Sequence, residues 1–250
     1  MFPIRDHNPS SRTPVATWVL IGLNVAIYLY GLGALNSNFA MNRFLFDYAM
    51  IPARISAGQN YSGLVTSLFI HAGFMHLAGN MLFLWIFGDN MEDQLGTAGF
   101  VAFYLVCGVG ADLGQYLADP ASRVPTIGAS GAIAGVMGGY LLFFPRARVD
   151  VLIFLVVYAR LIPIPAWLVL GLWFGLQLFS GVGSDPTGGG VAYWAHVTGF
   201  GLGLTLMIPV WAFRGGPAFW ARSHGEPPHP EATGLAPSIV PVVRRPKDRR

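Results

Sequence analysis

Six apolar runs, each bounded by charged or turn-forming residues, follow one another along the chain at about residues 14–33, 64–87, 97–117, 127–144, 163–182 and 191–213. Each approaches or exceeds the roughly 20 residues a helix needs to cross a hydrocarbon core, so the pattern predicts six membrane-spanning helices. Residues 151–159 are apolar but too short to span and are followed by Arg160, Pro163 and Pro165; they predict a segment lying in the interface. The first run follows Arg5 and Arg12. It is long and five more runs follow it, so it is expected to be a retained span rather than a signal peptide. Residues 1–13 are then a cytoplasmic N-terminal segment and residues 14–214 the membrane domain. Residues 215–250 are rich in proline and end in Arg244, Arg245, Lys247, Arg249 and Arg250, which predicts a basic, disordered cytoplasmic tail.

Composition sharpens this to a fold class. Charged residues make up 11% of the chain, hydrophobic residues 54%, and the mean hydropathy is +0.53. A water-facing surface cannot be built from that, and the expected class is an all-α, polytopic membrane protein in contact with the lipid bilayer. The net charge of +3 does not point to nucleic acid, because the basic excess lies in the tail and between spans. Arg146, Arg148, Arg214 and Arg222 place both termini in the cytoplasm by the positive-inside rule. Arg43 and Arg54 in an outside loop run against that orientation, as do Asp89, Glu92 and Asp93 in a cytoplasmic turn, although acidic residues count little in the rule. The expected location is a bacterial inner (plasma) membrane. The single cysteine, Cys107, forms no internal disulfide and is expected to be a packing residue. No HExxH sequence occurs, and neither a metal nor a cofactor is expected.

His71, His76 and His196 fall at or inside predicted spans, where polar side chains are costly and face a bundle interior or cavity. Spans two, four and six begin on the same side of the membrane, so His71, His76, Ser130 and His196 lie at similar depth. In span four, Gly131, Gly135 and Gly139 repeat every four residues, beside Ala134 and Gly138, and Ser130 sits at the edge of that small face. In span six, Gly199 and Gly203 share a face with His196. A serine-to-histidine hydrogen bond of about 2.6 to 3.2 Å requires these helices to approach to about 8 to 10 Å or less, which two glycine faces permit. His76 and Asn80 are four apart on one face of span two and suit an oxyanion hole, where each donor contributes about 2.7 to 4 kcal/mol. The backbone N–H of Ser130 is a further donor. Taken singly, these features have plainer explanations: a serine bonded back to its own helix, a common small-residue pattern, an interhelical polar clamp. Their convergence favours chemistry.

The same residues carry a family resemblance. Gly128-Ala129-Ser130-Gly131 resembles the GxSG motif of the rhomboid intramembrane serine proteases, Ala195-His196-Val197-Thr198-Gly199 resembles their AHxxG, and His71, His76 and Asn80 match their HxxxxHxxxN spacing. The three motifs occur in order on even-numbered helices, within a resemblance of about 200 residues and six helices. The resemblance implies a dyad without a third carboxylate, with Ser130 as nucleophile and His196 as general base and then acid. His76, Asn80 and the Ser130 N–H would hold the oxyanion. His71, Gly128, Gly131, Gly199 and Gly203 would be structural, and Glu92 would order the loop between the first two spans. Substrates would be single-span or other transmembrane proteins, cut near the outer membrane face where their helices unwind.

The chain departs from the family at two points. Ala134 stands where an aromatic residue often supports the base, and the first loop lacks a Trp-Arg pair. Gly188, Gly189 and Gly190 follow Ser184, Asp185, Pro186 and Thr187 before span six, as a lid or as an ordinary connector. Two other function classes compete: a noncatalytic rhomboid-like protein that escorts transmembrane helices, and a transporter relaying protons through the histidines and Asp112. An aspartyl protease is disfavoured because Asp112 has no partner in the predicted spans.

Overall fold

In lipid no water satisfies an exposed backbone N–H or C=O, so a chain of this composition crosses the membrane as helices whose hydrogen bonds close internally. The structure, a computed structural model, describes residues 2–8, 10–155, 158–183 and 190–226. In order the elements are β1 (Phe2–Asp6), α1 (Val15–Ala34), α2 (Asn38–Tyr48), α3 (Pro52–Ser56) and α4 (Gly63–Thr66), which runs into a 3-10 turn (Ser67–Phe69). Then come α5 (Phe74–Leu95), α6 (Thr97–Ala118), α7 (Ser130–Phe143), β2 (Arg148–Leu155), β3 (Tyr158–Pro165), α8 (Ala166–Gly183), α9 (Tyr193–Phe213) and α10 (Pro217–Ser223).

The six apolar runs correspond to α1, α5, α6, α7, α8 and α9, and the protein is an all-α membrane bundle. Helices α1, α6, α8 and α9 are each long and apolar enough to span. The second run is not one continuous helix. The segment Gly63–Phe69 meets α5 at a 94° bend, and residues 70–73 between them are non-helical, with Gly73 extended at φ −173° and ψ 169°. His71 therefore lies in the break rather than in a span, and α5 continues to Leu95, taking Asp89, Glu92 and Asp93 into its last turns. Apolar residues fill both sides of the break, so hydropathy does not register it. The fourth run yields only the 14 residues of α7, about 21 Å of helix, shorter than a hydrocarbon core of about 30 Å.

Helix α7 is the centre of the bundle. Every residue from Gly131 to Tyr140 is buried, so the helix has no polar face and belongs inside. Its glycines admit its neighbours: a Cβ on Gly199 would overlap the Gly131 carbonyl, one on Gly203 the Gly135 backbone, and one on Gly138 the Phe200 carbonyl. Cys107 of α6 packs, buried and without a disulfide, against Gly135.

Of the segment expected to lie in the interface, residues 151–155 and 158–159 belong to a sheet. Strands β1, β2 and β3 pair antiparallel in that order, so the N-terminal segment is tied to residues 148–152. Asp150 receives Arg5 Nε at 2.8 Å and pairs with His7 Nε2 at 2.7 Å. Asn8 Nδ2 donates to Tyr140 Oη at 2.8 Å, and that hydroxyl donates to Asp6 at 3.1 Å. The sheet thus holds the end of α7 opposite Ser130. Glu92 also acts at that end. Its carboxylate accepts from the backbone N–H groups of Ala16 and Thr17, each at 2.9 Å, and from Thr97 Oγ1 at 2.9 Å. It caps the start of α1 rather than ordering the loop between the first two spans, because the last turn of α5 returns to the side where α1 begins. Residues 217–223 of the expected tail form α10, whose Trp220 Nε1 donates to the Leu142 carbonyl at 2.9 Å; residues 227–250 lie outside the described residues.

Two predictions follow from the packing and the sheet. Gly203→Leu must force α7 and α9 apart and should cost about 3 kcal/mol or more, read as a fall in the thermal midpoint in detergent. Gly201→Leu, where an added Cβ meets nothing within 4 Å, should leave the midpoint near wild type; equal losses would place the sensitivity outside the α7–α9 contact. Burial raises the Asp6 carboxyl from 3.8 to about 6, against the lowering effect of its hydrogen bonds to Tyr140 and Asn8. The docked strand thus keeps a proton that the undocked chain has released, and this contribution is lost as pH rises through about 6. At Asp150 burial raises the carboxyl but the bonds from Arg5 and His7 prevail and lower it, so its contribution is lost only as pH falls below the usual carboxylate range. Hydrogen-exchange protection of β1 amides, corrected for intrinsic rates, should be several-fold higher at about pH 5 than at about pH 7.5, and Asp6→Asn should flatten the difference.

Candidate active site

Ser130 is the first residue of α7 and owes its position to the turn before it. Gly128 has φ 121°, a conformation that side chains disfavour. Its N–H donates to the Ser67 carbonyl at 2.9 Å, and the next N–H, of Ala129, points to His71 Nε2 at 3.5 Å. Ser67 is anchored in turn by its hydroxyl, which donates to the buried Asp112 carboxyl at 2.7 Å. The 3-10 turn and the break after it therefore have a role: the Ser67 carbonyl and His71 hold the loop that presents Ser130. His71 lies behind the site, and Asp112 is engaged by Ser67.

Ser130 Oγ lies 2.7 Å from His196 Nε2. The other ring nitrogen, Nδ1, lies 2.7 Å from Gln177 Oε1 on α8, and the Trp173 indole, one turn earlier, sits 5.7 Å from the imidazole centroid at 35°. An amide oxygen only accepts, so in this orientation Gln177 pairs with the ring tautomer that carries its proton on Nδ1 and leaves Nε2 to accept from the serine hydroxyl. Ala134 is fully buried, and besides Ser130 on α7 the His196 ring meets Gln177 and Trp173 on α8. Neither Gln177 nor Trp173 was singled out from the sequence. The available signal was an amide side chain in an otherwise apolar span, four residues after a tryptophan and so on its face, where polar groups seek a partner on another helix.

Ser130, His196, His76, Asn80 and Trp173 line one cavity of about 1290 Å³. A Cβ on Gly128 would fall 2.8 Å from the His76 ring and 3.7 Å from Ser130 Oγ, which puts the imidazole across the turn from the hydroxyl. Asn80 Nδ2 donates to the His76 carbonyl at 3.0 Å, and among the described residues nothing takes its second N–H. Ser130 N–H is in the first turn of α7, where helical partners are missing. The cavity extends to Asp119, Ser122 and Thr126 in the α6–α7 connection, where its wall is polar. Gly131, Gly199 and Gly203 form the helix contacts beneath the site, and Glu92 is remote from it. Of the expected lid only Gly190 is described, at the cavity edge; residues 184–189 lie outside the described residues. Among the described residues no group of three or more His, Cys, Asp or Glu side chains is placed to hold a metal ion.

Residues 58–213 match the model of the Rhomboid domain. The chain is 28% identical over 193 residues to Rhomboid protein 1, mitochondrial, of Saccharomyces cerevisiae, covering 75% of this chain and 51% of that protein. It is 33% identical over 135 residues to Rhomboid-like protein 11, chloroplastic, of Arabidopsis thaliana, covering 52% and 42%. With Rhomboid protease GluP of Bacillus subtilis it shares 29% identity over 128 residues, covering 51% and 24%. The chain thus spans about half or less of these relatives' own length. Their names and sources include mitochondrion, chloroplast and bacterium, and they lend no support to a bacterial plasma membrane in particular.

Gly128→Ala combines a disfavoured φ with a methyl group against His76 and should disturb the turn that presents Ser130. We expect reaction of Ser130 with a fluorophosphonate, which marks activated serines, to slow by about tenfold or more. An unchanged labelling rate would show that the turn does not control the serine.

Proposed function

Since the chain belongs to the rhomboid family, we propose that it is an intramembrane serine endopeptidase that cleaves transmembrane proteins through Ser130 and His196. The observation that carries this is the 2.7 Å contact between Ser130 Oγ and His196 Nε2, lining a cavity open to polar loop residues. Ser130 Oγ attacks the peptide carbonyl while its proton passes to Nε2. The carbonyl oxygen becomes an oxyanion facing His76, Asn80 and the Ser130 N–H. The imidazolium then gives its proton to the departing amine nitrogen, leaving an acyl ester on Ser130. A water molecule, deprotonated by the same nitrogen, hydrolyses the ester and restores the serine.

A peptide bond within a stable helix is shielded by its own hydrogen bonds, so the substrates are transmembrane segments that unwind easily, with Gly, Pro or polar residues near the cut. By the positive-inside rule the arginines after α7 and α9 support a reading with both termini in the cytoplasm and the Ser130 end of α7 toward the outer face. The escort reading requires helix binding but neither an activated serine nor turnover.

Labelling of the detergent-solubilised protein with a fluorophosphonate, together with cleavage of a model transmembrane substrate, separates the two. Labelling and cleavage should vanish in Ser130→Ala and fall sharply in His196→Ala. His76→Ala and Asn80→Ala should lower kcat by about tenfold to a thousandfold with little change in KM. A folded wild-type protein that neither labels nor cleaves would favour the escort reading.

A further inference from the structure

We propose that Gln177 is a positioning residue for the base: its side-chain oxygen accepts the Nδ1–H of His196 and so fixes the imidazole in the tautomer that takes the Ser130 proton. The inference rests on the protease reading above. A neutral imidazole carries one N–H, and with Ser130 at Nε2 only the Nδ1–H tautomer leaves an acceptor facing the hydroxyl. Something must hold the proton on Nδ1. In soluble serine proteases a buried carboxylate does so. Here Asp112 is engaged by Ser67 and Asp119 accepts from Ala121 N beyond the end of α6, while Gln177 Oε1 is at 2.7 Å from Nδ1.

The position of Gln177 on its helix is independent support. Helix α8 buries only Ala166, Leu170 and Gly181, so most of it faces lipid or the cavity, where an amide without a partner is unfavourable. The amide is directed at the one ring whose protonation matters, and Trp173 lies beside that ring. When Nε2 takes the serine proton, the ring becomes an imidazolium and the Nδ1–H···Oε1 bond becomes charge-assisted and stronger. When Nε2 releases the proton to the leaving amine, the bond relaxes. The amide turned the other way would donate to Nδ1, put the ring proton on Nε2 and aim it at Ser130, which is unproductive.

The full-length protein in detergent, as wild type, Gln177→Leu, Gln177→Met and Gln177→Glu, tests this through cleavage kinetics and the rate of fluorophosphonate labelling. The two apolar variants should lose about tenfold to a hundredfold in kcat with KM within about twofold, and should label more slowly in proportion. Gln177→Glu, which keeps an acceptor oxygen, should stay within about threefold of wild type on both measures. Using two apolar replacements guards against one that fails to fold, and the thermal midpoint identifies it. Apolar variants that fold and match wild type overturn the inference while leaving the protease reading intact. So does a Gln177→Glu variant as slow as the apolar ones, because an amide that donates or merely packs predicts that result. A wild-type protein that neither labels nor cleaves removes the protease reading, and this inference with it.

Discussion

Backbone contact between α7 and α9 is the constraint on which the rest of the structure depends. Serine and histidine side chains are short, and a hydrogen bond between them across two helices needs a separation that ordinary side chains at the interface forbid. Gly199, Gly203 and Gly138 remove those side chains, so that the carbonyl oxygens of Gly131, Gly135 and Phe200 on the facing helix lie where their Cβ atoms would be. The close approach leaves α7 no outward face. Helix α6 closes a third side through Cys107 and Ala111, and a helix surrounded in this way need not reach either membrane surface. Its 14 residues suffice, and its first residue, Ser130, starts within the protein.

A recessed helix start demands irregular backbone at depth, which lipid does not tolerate unless protein or a water-filled cavity surrounds it. The 3-10 turn and break at residues 67–73 and the turn at 128–129 answer each other. The carbonyl of Ser67 takes the Gly128 N–H, His71 faces the Ala129 N–H, and Asp112 holds Ser67. Two interruptions that would each be costly alone supply one another's hydrogen bonds. At the opposite end Glu92 satisfies the first N–H groups of α1, and the sheet fixes Tyr140.

The helices were legible because apolar length is a direct consequence of the solvent: α1, α6, α8 and α9 fall within a few residues of their runs. The glycine faces were legible for the same kind of reason, since only a contact surface calls for Gly131, Gly135, Gly199 and Gly203 at helical spacing. What hydropathy hid was backbone direction. The 94° bend lies among apolar residues, and the pairing of β1 with β2 joins segments almost 150 positions apart, as in Arg5 with Asp150 at a separation of 145. The candidate site was legible where its residues carry unusual cost inside a membrane, as do Ser130, His76, Asn80 and His196. Gln177 escaped because an amide is a weak anomaly in a span, and its partner is fixed only once α8 and α9 are packed.

The nature of that partner follows from the solvent as well. A carboxylate behind the imidazole would place a full negative charge on α8, beside lipid, in both the resting and the acyl-enzyme states of the proposed mechanism. Only during proton transfer would an imidazolium neutralise it. Desolvating an unpaired carboxylate costs several kcal/mol even after relaxation, and in such a site it would take up a proton and lose its advantage as an anion. A neutral amide presents the same acceptor geometry to Nδ1 without that cost, and gives up some stabilisation of the charged ring in exchange. Within a bilayer, orienting the base and stabilising its charge are therefore separable tasks. In the proposed mechanism the residues around His196 serve the first, with Gln177 setting the tautomer and Trp173 beside the ring, while the brief positive charge on the ring is left to the oxyanion that would form next to it.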